Sequence, residues 1–124
     1  MEINKVNNLL ELFYNQYQTQ DKTSVFLQPL KEVEKKYSWE DVYSNIIKLS
    51  EEISKYIKKG DRCLLISENR PEWMISDLSI MLSGGITVPA YTTYTERDYE
   101  YIIDDCSPTV LIISDKTQYL KIKN

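Results

Sequence analysis

The sequence predicts an α/β fold with a parallel sheet, and two observations carry that prediction. From about Arg62 to Ser114 the chain alternates in the order strand, helix, strand, helix, strand, with short connections between the segments. Such connections join parallel strands through right-handed crossovers. The strand segments are also apolar almost throughout, which is typical of strands that are buried on both faces. We therefore expect a parallel β-α-β-α-β unit here.

The segments before this unit predict one short helix and two short strands. Apolar residues within 9–17 have helical spacing, so we expect a helix that ends among residues 18–21. Residues 25–27 and the charged stretch 33–37 predict two strands on either side of Pro29.

An amphipathic helix is predicted between these strands and the parallel unit. Ser38 and Asp41 are spaced as in a capping box, in which the serine side chain bonds the amide near Asp41. Apolar residues then recur at three- and four-residue steps on one narrow arc: Val42, Ile46, Leu49, Ile53, Tyr56 and Ile57. The pattern predicts a surface helix with one buried face, and Gly60 is the expected C-cap.

The parallel unit divides into segments with recognisable ends. The predicted strands are residues 62–67, 86–90 and 109–114. The first predicted helix covers residues 71–83, and the second is capped by Thr95 ahead of Asp98 and ends before Pro108. The second helix carries one apolar stripe, formed by Tyr99, Ile102, Ile103 and Cys106.

The helix over residues 71–83 has too few polar faces for the outside of a small domain. Its only charge after the first turn is Asp77, and Trp73 with Ile80 forms a separate apolar face. Small residues form a further stripe: Ser76, Ser79 and Ser83. Either the upstream helices cover this helix, or the chain is part of a larger fold whose other residues complete the packing. The apolar strands favour the larger fold.

Composition and charge exclude several classes of function. The 124 residues include 15 Lys plus Arg against 19 Asp plus Glu, a net charge of -4, and form no basic stripe for nucleic acid. No apolar stretch approaches the roughly 18 residues of a membrane span, and residues 1–6 lack the apolar region of a signal peptide. We therefore expect a cytoplasmic protein with no nucleic-acid partner and no transmembrane segment.

The residue types present also limit the chemistry. The absence of histidine removes Ser-His and Cys-His nucleophile pairs, and three glycines cannot assemble a dinucleotide fingerprint or a Walker-type phosphate loop. Cys63 and Cys106 lack metal-ligand spacing and are expected to be buried apolar residues. Asp104 and Asp105 are expected to form a solvated helix face rather than a metal site or an acid-base couple.

Two polar loops follow predicted strands, at the sheet edge where ligands bind in parallel α/β folds. They are Ser67-Glu68-Asn69-Arg70 and Tyr91-Thr92-Thr93-Tyr94. Each loop precedes the start of a helix, which could receive an anion.

A structural role is nevertheless favoured for both loops. Pro71 suits the first position of a helix, and Asn69 is suited to closing the turn before it. Glu68 and Glu72 complement the positive end of the helix dipole. Thr95 explains the end of the second loop as an N-cap.

Several short motifs, taken together, are shared with a known family of enzymes. They are Lys59-Gly60-Asp61-Arg62, Ser67-Glu68-Asn69-Arg70-Pro71-Glu72-Trp73, Asp77-Leu78, Gly84-Gly85 with Val88-Pro89-Ala90-Tyr91, and Tyr101-Ile102-Ile103 with Val110-Leu111-Ile112-Ile113-Ser114. This set resembles the amino-terminal region of the AMP-forming acyl-CoA synthetases, and it is most similar to the long-chain fatty acid-CoA ligases within that adenylate-forming family. The resemblance covers residues from about Leu9 to Ser114 and is specific as an ensemble.

The resemblance implies a two-step ligase. ATP and a fatty acid give an acyl-adenylate and pyrophosphate, coenzyme A then takes the acyl group, and Mg²⁺ accompanies the ATP. Adenylation turns a poor leaving group into a good one, while the protein stabilises charge on the phosphates and aligns the carboxylate for in-line attack. Peripheral association with a membrane is compatible with the resemblance.

The chain departs from this family in length. The family's Ser/Thr/Gly-rich phosphate loop, acidic magnesium ligand, ribose-binding carboxylate and mobile lysine all follow the position that corresponds to Asn124. We therefore assign no catalytic, cofactor-binding or metal-binding residue. Residues 1–124 are expected to be the incomplete amino-terminal part of an AMP-binding domain, without a second domain. The missing carboxy-terminal part of the same fold is the expected partner, and the isolated chain is expected to be inactive and to bind no ATP tightly.

Two alternatives stay open. The chain could be a stand-alone α/β binding or interaction module that uses the Trp73 and Ile80 face as its partner surface. It could also belong to an adenylating enzyme for another carboxylic acid, since relatives that activate aryl, short-chain or amino acids share this region. The acyl pocket is not encoded in these residues, so the acyl chain length rests on the resemblance alone.

Overall fold

The fold is a three-stranded parallel sheet with helices on both faces, preceded by two helices and a small two-stranded sheet. A computed structural model describes residues 7–123, so residues 1–6, where the sequence predicts no signal peptide, lie outside the described part. The elements in chain order are α1 (Leu9–Thr19), β1 (Val25–Leu27), β2 (Tyr37–Ser38), α2 (Trp39–Ser54), β3 (Arg62–Ile66), α3 (Pro71–Leu82), β4 (Ile86–Ala90), α4 (Glu96–Cys106), β5 (Val110–Ile113) and α5 (Lys116–Ile122).

The predicted parallel unit is confirmed. β3 pairs in parallel with both β4 and β5, and the strand order is β4-β3-β5. The two crossovers run in opposite directions across the sheet, so right-handed connections place α3 and α4 on opposite faces. Ile80 of α3 packs with Cys63 on one face, while Tyr99 of α4 packs with Leu64 and Ile66 on the other.

The cysteines and the central strand are buried as predicted. β3 is buried from Cys63 to Ile66, and Cys106 is buried at the end of α4. Both thiols are free, and burial raises the pKa of each. They serve as small apolar residues of the core.

The predicted helix starts are also confirmed. Ser38 Oγ accepts from the Asp41 amide at 3.0 Å, and the Asp41 carboxylate accepts from the Ser38 amide at 3.0 Å. Thr95 and Asp98 form the same reciprocal pair at the start of α4. Asn8 caps α1 by accepting from the Glu11 amide at 2.8 Å. These short-range patterns determine where the helices begin.

The prediction of a strand over residues 33–37 was wrong. Val33–Lys35 form a short 3₁₀ helix, and the strand is reduced to Tyr37–Ser38. The chain turns at Glu32, whose φ is 55° in the left-handed region. Glu34, Lys35 and Lys36 are consecutive charged residues with low strand propensity, and the segment forms a helical turn instead.

The prediction of Gly60 as the C-cap of α2 was also wrong. The helix ends at Ser54, and Tyr56, which was placed on the buried arc, is 63% exposed. The Lys58 amide donates to the Asp61 carboxylate at 2.8 Å instead of continuing the helix. Gly60 has φ of 89° and donates to the Gly84 carbonyl at 2.8 Å, so it joins the start of β3 to the turn before β4.

Most of the cover that α3 requires comes from within the chain. The serine stripe faces α2, where Ser79 Oγ lies 3.4 Å from the Ile46 carbonyl and Ser83 Oγ lies 3.1 Å from the Ser50 carbonyl. Ile80 is fully buried against the sheet, so the predicted open face of Trp73 and Ile80 was wrong. The apolar residues of α3 that stay exposed lie at its end: Met81 and Leu82.

We expect Ser79→Leu to lower the free energy of unfolding by about 1–3 kcal/mol, because the larger side chain would force α2 and α3 apart at a fully buried position. Ser79→Ala preserves the close approach and loses only a hydrogen bond, so its cost should be about 1 kcal/mol or less. Urea unfolding followed by circular dichroism measures both. Equal midpoints for the two variants would contradict the role of the serine stripe.

Gly84→Ala tests the turn between α3 and β4. Gly84 has φ of 86°, and an added Cβ would meet Lys59 at 3.6 Å, an ordinary contact. The expected loss of about 1–2 kcal/mol in unfolding free energy therefore comes from the backbone conformation alone. Gly84→Asn should lose less, because asparagine tolerates this conformation better. A Gly84→Ala variant as stable as the parent would contradict this interpretation.

Candidate functional site

The carboxyl ends of β3 and β4 form the candidate site. β3 leads into α3 on one face of the sheet and β4 leads into α4 on the other, so a crevice opens between the two adjacent strands. A cavity of about 470 Å³ lies in this crevice, and we name it the cup. It is lined by Ser67, Asn69, Trp73, Pro89, Ala90 and Tyr91.

The first polar loop supplies one side of the cup. Ser67 Oγ donates to the Glu68 carbonyl at 2.9 Å, and Glu68 forms an exposed ion pair with Arg70. Such a pair stabilises the fold little. Pro71 occupies the first turn of α3 as predicted. The Asn69 side chain does not close the turn as expected, because it has no hydrogen-bond partner within residues 7–123 and instead lines the cup.

Glu72 links this loop to the small sheet, which the sequence did not reveal. Its carboxylate accepts from the Tyr37 hydroxyl at 3.0 Å. Burial, followed by this contact with Glu72, raises the pKa of Tyr37. The start of α3 is therefore held by β2 as well as by β3.

The second polar loop supplies the opposite side of the cup. Its first residue, Tyr91, is 71% exposed, and its ring lies edge-on to that of Tyr94 at 5.4 Å. The Tyr94 amide donates to the Tyr91 carbonyl at 3.3 Å, which closes a tight turn. Thr95 then begins α4 as the predicted N-cap.

Two helices hold this loop from behind. The Tyr99 hydroxyl of α4 donates to the Tyr91 carbonyl at 2.6 Å. Lys121 of α5 donates from Nζ to the carbonyls of Thr92 and Tyr94, at 3.0 Å each. The loop is therefore fixed by its main chain, while the largely exposed Tyr91 side chain lines the cup.

The cup is suited to binding rather than to acid-base chemistry. None of its six lining side chains carries a carboxylate or an amine. Tryptophan, tyrosine and proline offer flat apolar surface, and serine and asparagine offer hydrogen bonds.

Within residues 7–123 no group of three or more His, Cys, Asp and Glu side chains is placed to hold a metal ion. No helix in that part of the chain has the length and apolar character needed to cross a bilayer.

The structure brings together only part of the predicted loops. Ser67, Asn69 and Tyr91 meet around the cup, whereas the other loop residues do not line it: Glu68, Arg70, Thr92, Thr93 and Tyr94. Sequence reasoning missed Trp73, which it placed on a helix face with Ile80. A signal was present, because Trp73 lies in the first turn after a strand end. Asp104 and Asp105 are both exposed on α4, as predicted for a solvated face.

Comparison with known proteins identifies related chains. The family model described as AMP-binding enzyme matches residues 12–124. A long-chain-fatty-acid-CoA ligase, ACSBG2 of Gallus gallus, is 33% identical over 54 residues, which are 44% of this chain and 7% of that protein. A long-chain-fatty-acid-CoA ligase of Bacillus subtilis is 32% identical over 82 residues, which are 65% of this chain and 15% of that protein. The chain thus spans only a small part of these relatives.

A solved structure confirms the predicted fold. The anthranilate CoA ligase AuaEII in complex with anthranoyl-AMP superposes with a TM-score of 0.83 at 19% identity. The match covers 99% of this chain and 24% of that one. The α/β architecture described here therefore corresponds to one part of that longer chain.

Tyr99 gives the loop a pH dependence that can be measured. Its pKa is raised above 10.0, first by burial and then by the carboxylates of Asp115 and Glu68. The stability that the neutral hydroxyl contributes is complete below the unfolded-state pKa and is lost as the pH rises through the folded-state pKa. Tyr99→Phe should therefore flatten the alkaline fall in unfolding free energy above about pH 10. Urea unfolding across this range measures it.

Tyr101→Phe serves as the control, since Tyr101 lies two positions further along α4 and is 72% exposed. We expect it to keep the alkaline slope of the parent chain. The same slope in Tyr99→Phe and in the parent would contradict the prediction.

Proposed function

Because this chain belongs to the family of AMP-binding enzymes, we propose that it is the amino-terminal part of an ATP-dependent ligase that activates a fatty acid as an acyl-adenylate and transfers the acyl group to coenzyme A. The observation that carries the proposal is the family match over residues 12–124 together with the names of the two sequence relatives, both long-chain-fatty-acid-CoA ligases.

The choice of a fatty acid rests on those names and not on the fold. The anthranilate CoA ligase shares the same architecture at 19% identity, so the fold alone does not favour a fatty acid over another carboxylic acid. An adenylating enzyme for another carboxylic acid is therefore the second candidate. The stand-alone interaction module loses the surface predicted for it, because Ile80 is buried and Trp73 lines the cup.

ATP, Mg²⁺ and coenzyme A are required by this proposal. Mg²⁺ in nucleotide sites is held by carboxylates and phosphate oxygens. The six residues that line the cup carry no carboxylate to hold such a metal and no positive charge to face a triphosphate. The cup therefore does not fit the phosphates or the metal. Residues 7–123 contribute a sheet and its covering helices, and the 124-residue chain alone would be inactive. A cytoplasmic location and a peripheral association with a membrane also stay predictions.

The test begins with the reading frame beyond Asn124. A continuing frame that encodes a Ser/Thr/Gly-rich loop ending in lysine supports the ligase, and a stop codon with a stable monomer supports a separate module. With the complete gene product, we expect pyrophosphate exchange into ATP to depend on a C16 fatty acid and thioester to form when coenzyme A is added.

Anthranilate, acetate and an amino acid are the matched substrate controls, and each should support exchange at least about tenfold more slowly than the fatty acid, a preference of about 1.4 kcal/mol in the barrier. Exchange that depends on an aryl acid and not on the fatty acid would contradict the fatty acid ligase and support the second candidate, an adenylating enzyme for another carboxylic acid. Fatty-acid-dependent exchange by the 124-residue chain would contradict its proposed inactivity.

A further inference from the structure

We propose that Lys121 and Gln118 of α5, acting with Tyr99 of α4, are positioning residues that set the conformation of loop 91–94 and with it one wall of the cup. The inference concerns how the cup is shaped and does not depend on which acid the complete protein activates. It rests on the hydrogen bonds that these side chains make with the loop main chain.

The ammonium of Lys121 is committed to the backbone rather than to a carboxylate. It donates to the Thr92 and Tyr94 carbonyls at 3.0 Å each, and the residue is half-buried. Three carboxylates border the same cleft between α4 and α5: Glu96, Glu100 and Asp104. Within the described residues none of them lies at ion-pair distance from Lys121. Bonds from a charged donor are roughly twice as strong as neutral ones, so this lysine is a strong constraint on the loop.

Gln118 supports the second constraint. The Tyr99 oxygen lies 2.6 Å from the Tyr91 carbonyl oxygen and 2.9 Å from Gln118 Oε1. A hydroxyl has one proton, and a main-chain carbonyl can only accept, so Tyr99 donates to Tyr91. Because this single proton cannot also serve Gln118 Oε1, we assign the Gln118 amide the orientation rotated by 180°, in which its NH₂ group faces the Tyr99 oxygen. Because Gln118 is only 5% exposed, this bond also satisfies a buried amide.

The strand order shows which parts of the fold these contacts connect. Loop 91–94 follows β4 and α5 follows β5, and these strands lie on opposite sides of β3. Tyr99, Gln118 and Lys121 therefore connect the segments after the two outer strands, across the end of the central one. Tyr91 carries both functions, since its carbonyl is held by Tyr99 and its ring lines the cup. A displacement of α5 would therefore change the wall of the cup through Tyr91.

The test replaces Lys121 in the complete gene product and follows amide hydrogen exchange by mass spectrometry. Lys121→Met should raise exchange in residues 91–95 by about tenfold or more, while β3 keeps its protection. In protein labelled with 5-fluorotryptophan, the ¹⁹F resonance of Trp73 should shift and that of Trp39, which stacks on Phe26 away from the cup, should not. Lys121→Arg keeps the charge and the donors and should restore most of the protection.

Lys123→Met is the matched control, because it removes an exposed positive charge from the same end of α5. It should leave the loop as in the parent protein. Unchanged exchange at residues 91–95 in Lys121→Met overturns the proposal, as does a rise that Lys123→Met reproduces or that spreads evenly to β3. Should Lys121→Met not fold, Tyr99→Phe decides the question, since loss of its hydroxyl must also raise loop exchange. No substrate is used, so failure here leaves the proposed ligase activity untouched.

Discussion

Burial of β3 on both faces is the constraint on which the rest of the structure depends. A strand that is apolar on both sides must be covered on both sides, and parallel neighbours can be joined to it only by crossovers. α3 and α4 provide this cover from opposite faces, with Ile80 on one side and Tyr99 on the other. The chain must then leave β3 and β4 in opposite directions. The cup is the space that this divergence opens, so the site follows from the burial of one strand.

The success of sequence reasoning follows the range of the interactions. The capping pairs Ser38 with Asp41 and Thr95 with Asp98 act over three residues, and the sequence predicted both helix starts. The role of Gly60 depends on a partner far along the chain, because its amide bonds the Gly84 carbonyl, and the prediction of a C-cap there failed. The sequence analysis missed α5, because a seven-residue helix shows too little periodicity. Asp115 is nevertheless its N-cap, since the Asp115 carboxylate accepts from the main-chain amide of Gln118 at 3.1 Å.

The candidate site divides along the same line. Position after a strand singled out Ser67 and Tyr91, because the ends of parallel strands share one sheet edge. That Trp73 joins them, and that Lys121 holds the loop from a distance of 27 to 29 residues, depends on the tertiary arrangement alone. The family was accessible without this geometry, because it is carried by short motifs spread along the chain.

Lys121 bonds main-chain carbonyls rather than a carboxylate, and this difference determines which part of loop 91–94 is fixed. A lysine paired with a carboxylate would fix only two side chains, and surface pairs of that kind are weak. Bonded to two carbonyls, it fixes the main chain of the turn, while the Tyr91 side chain stays largely exposed. A binding wall that is ordered before its ligand arrives loses less conformational entropy on binding. The main-chain bonds of loop 91–94 therefore give the cup one ordered wall, on which the Tyr91 side chain is presented.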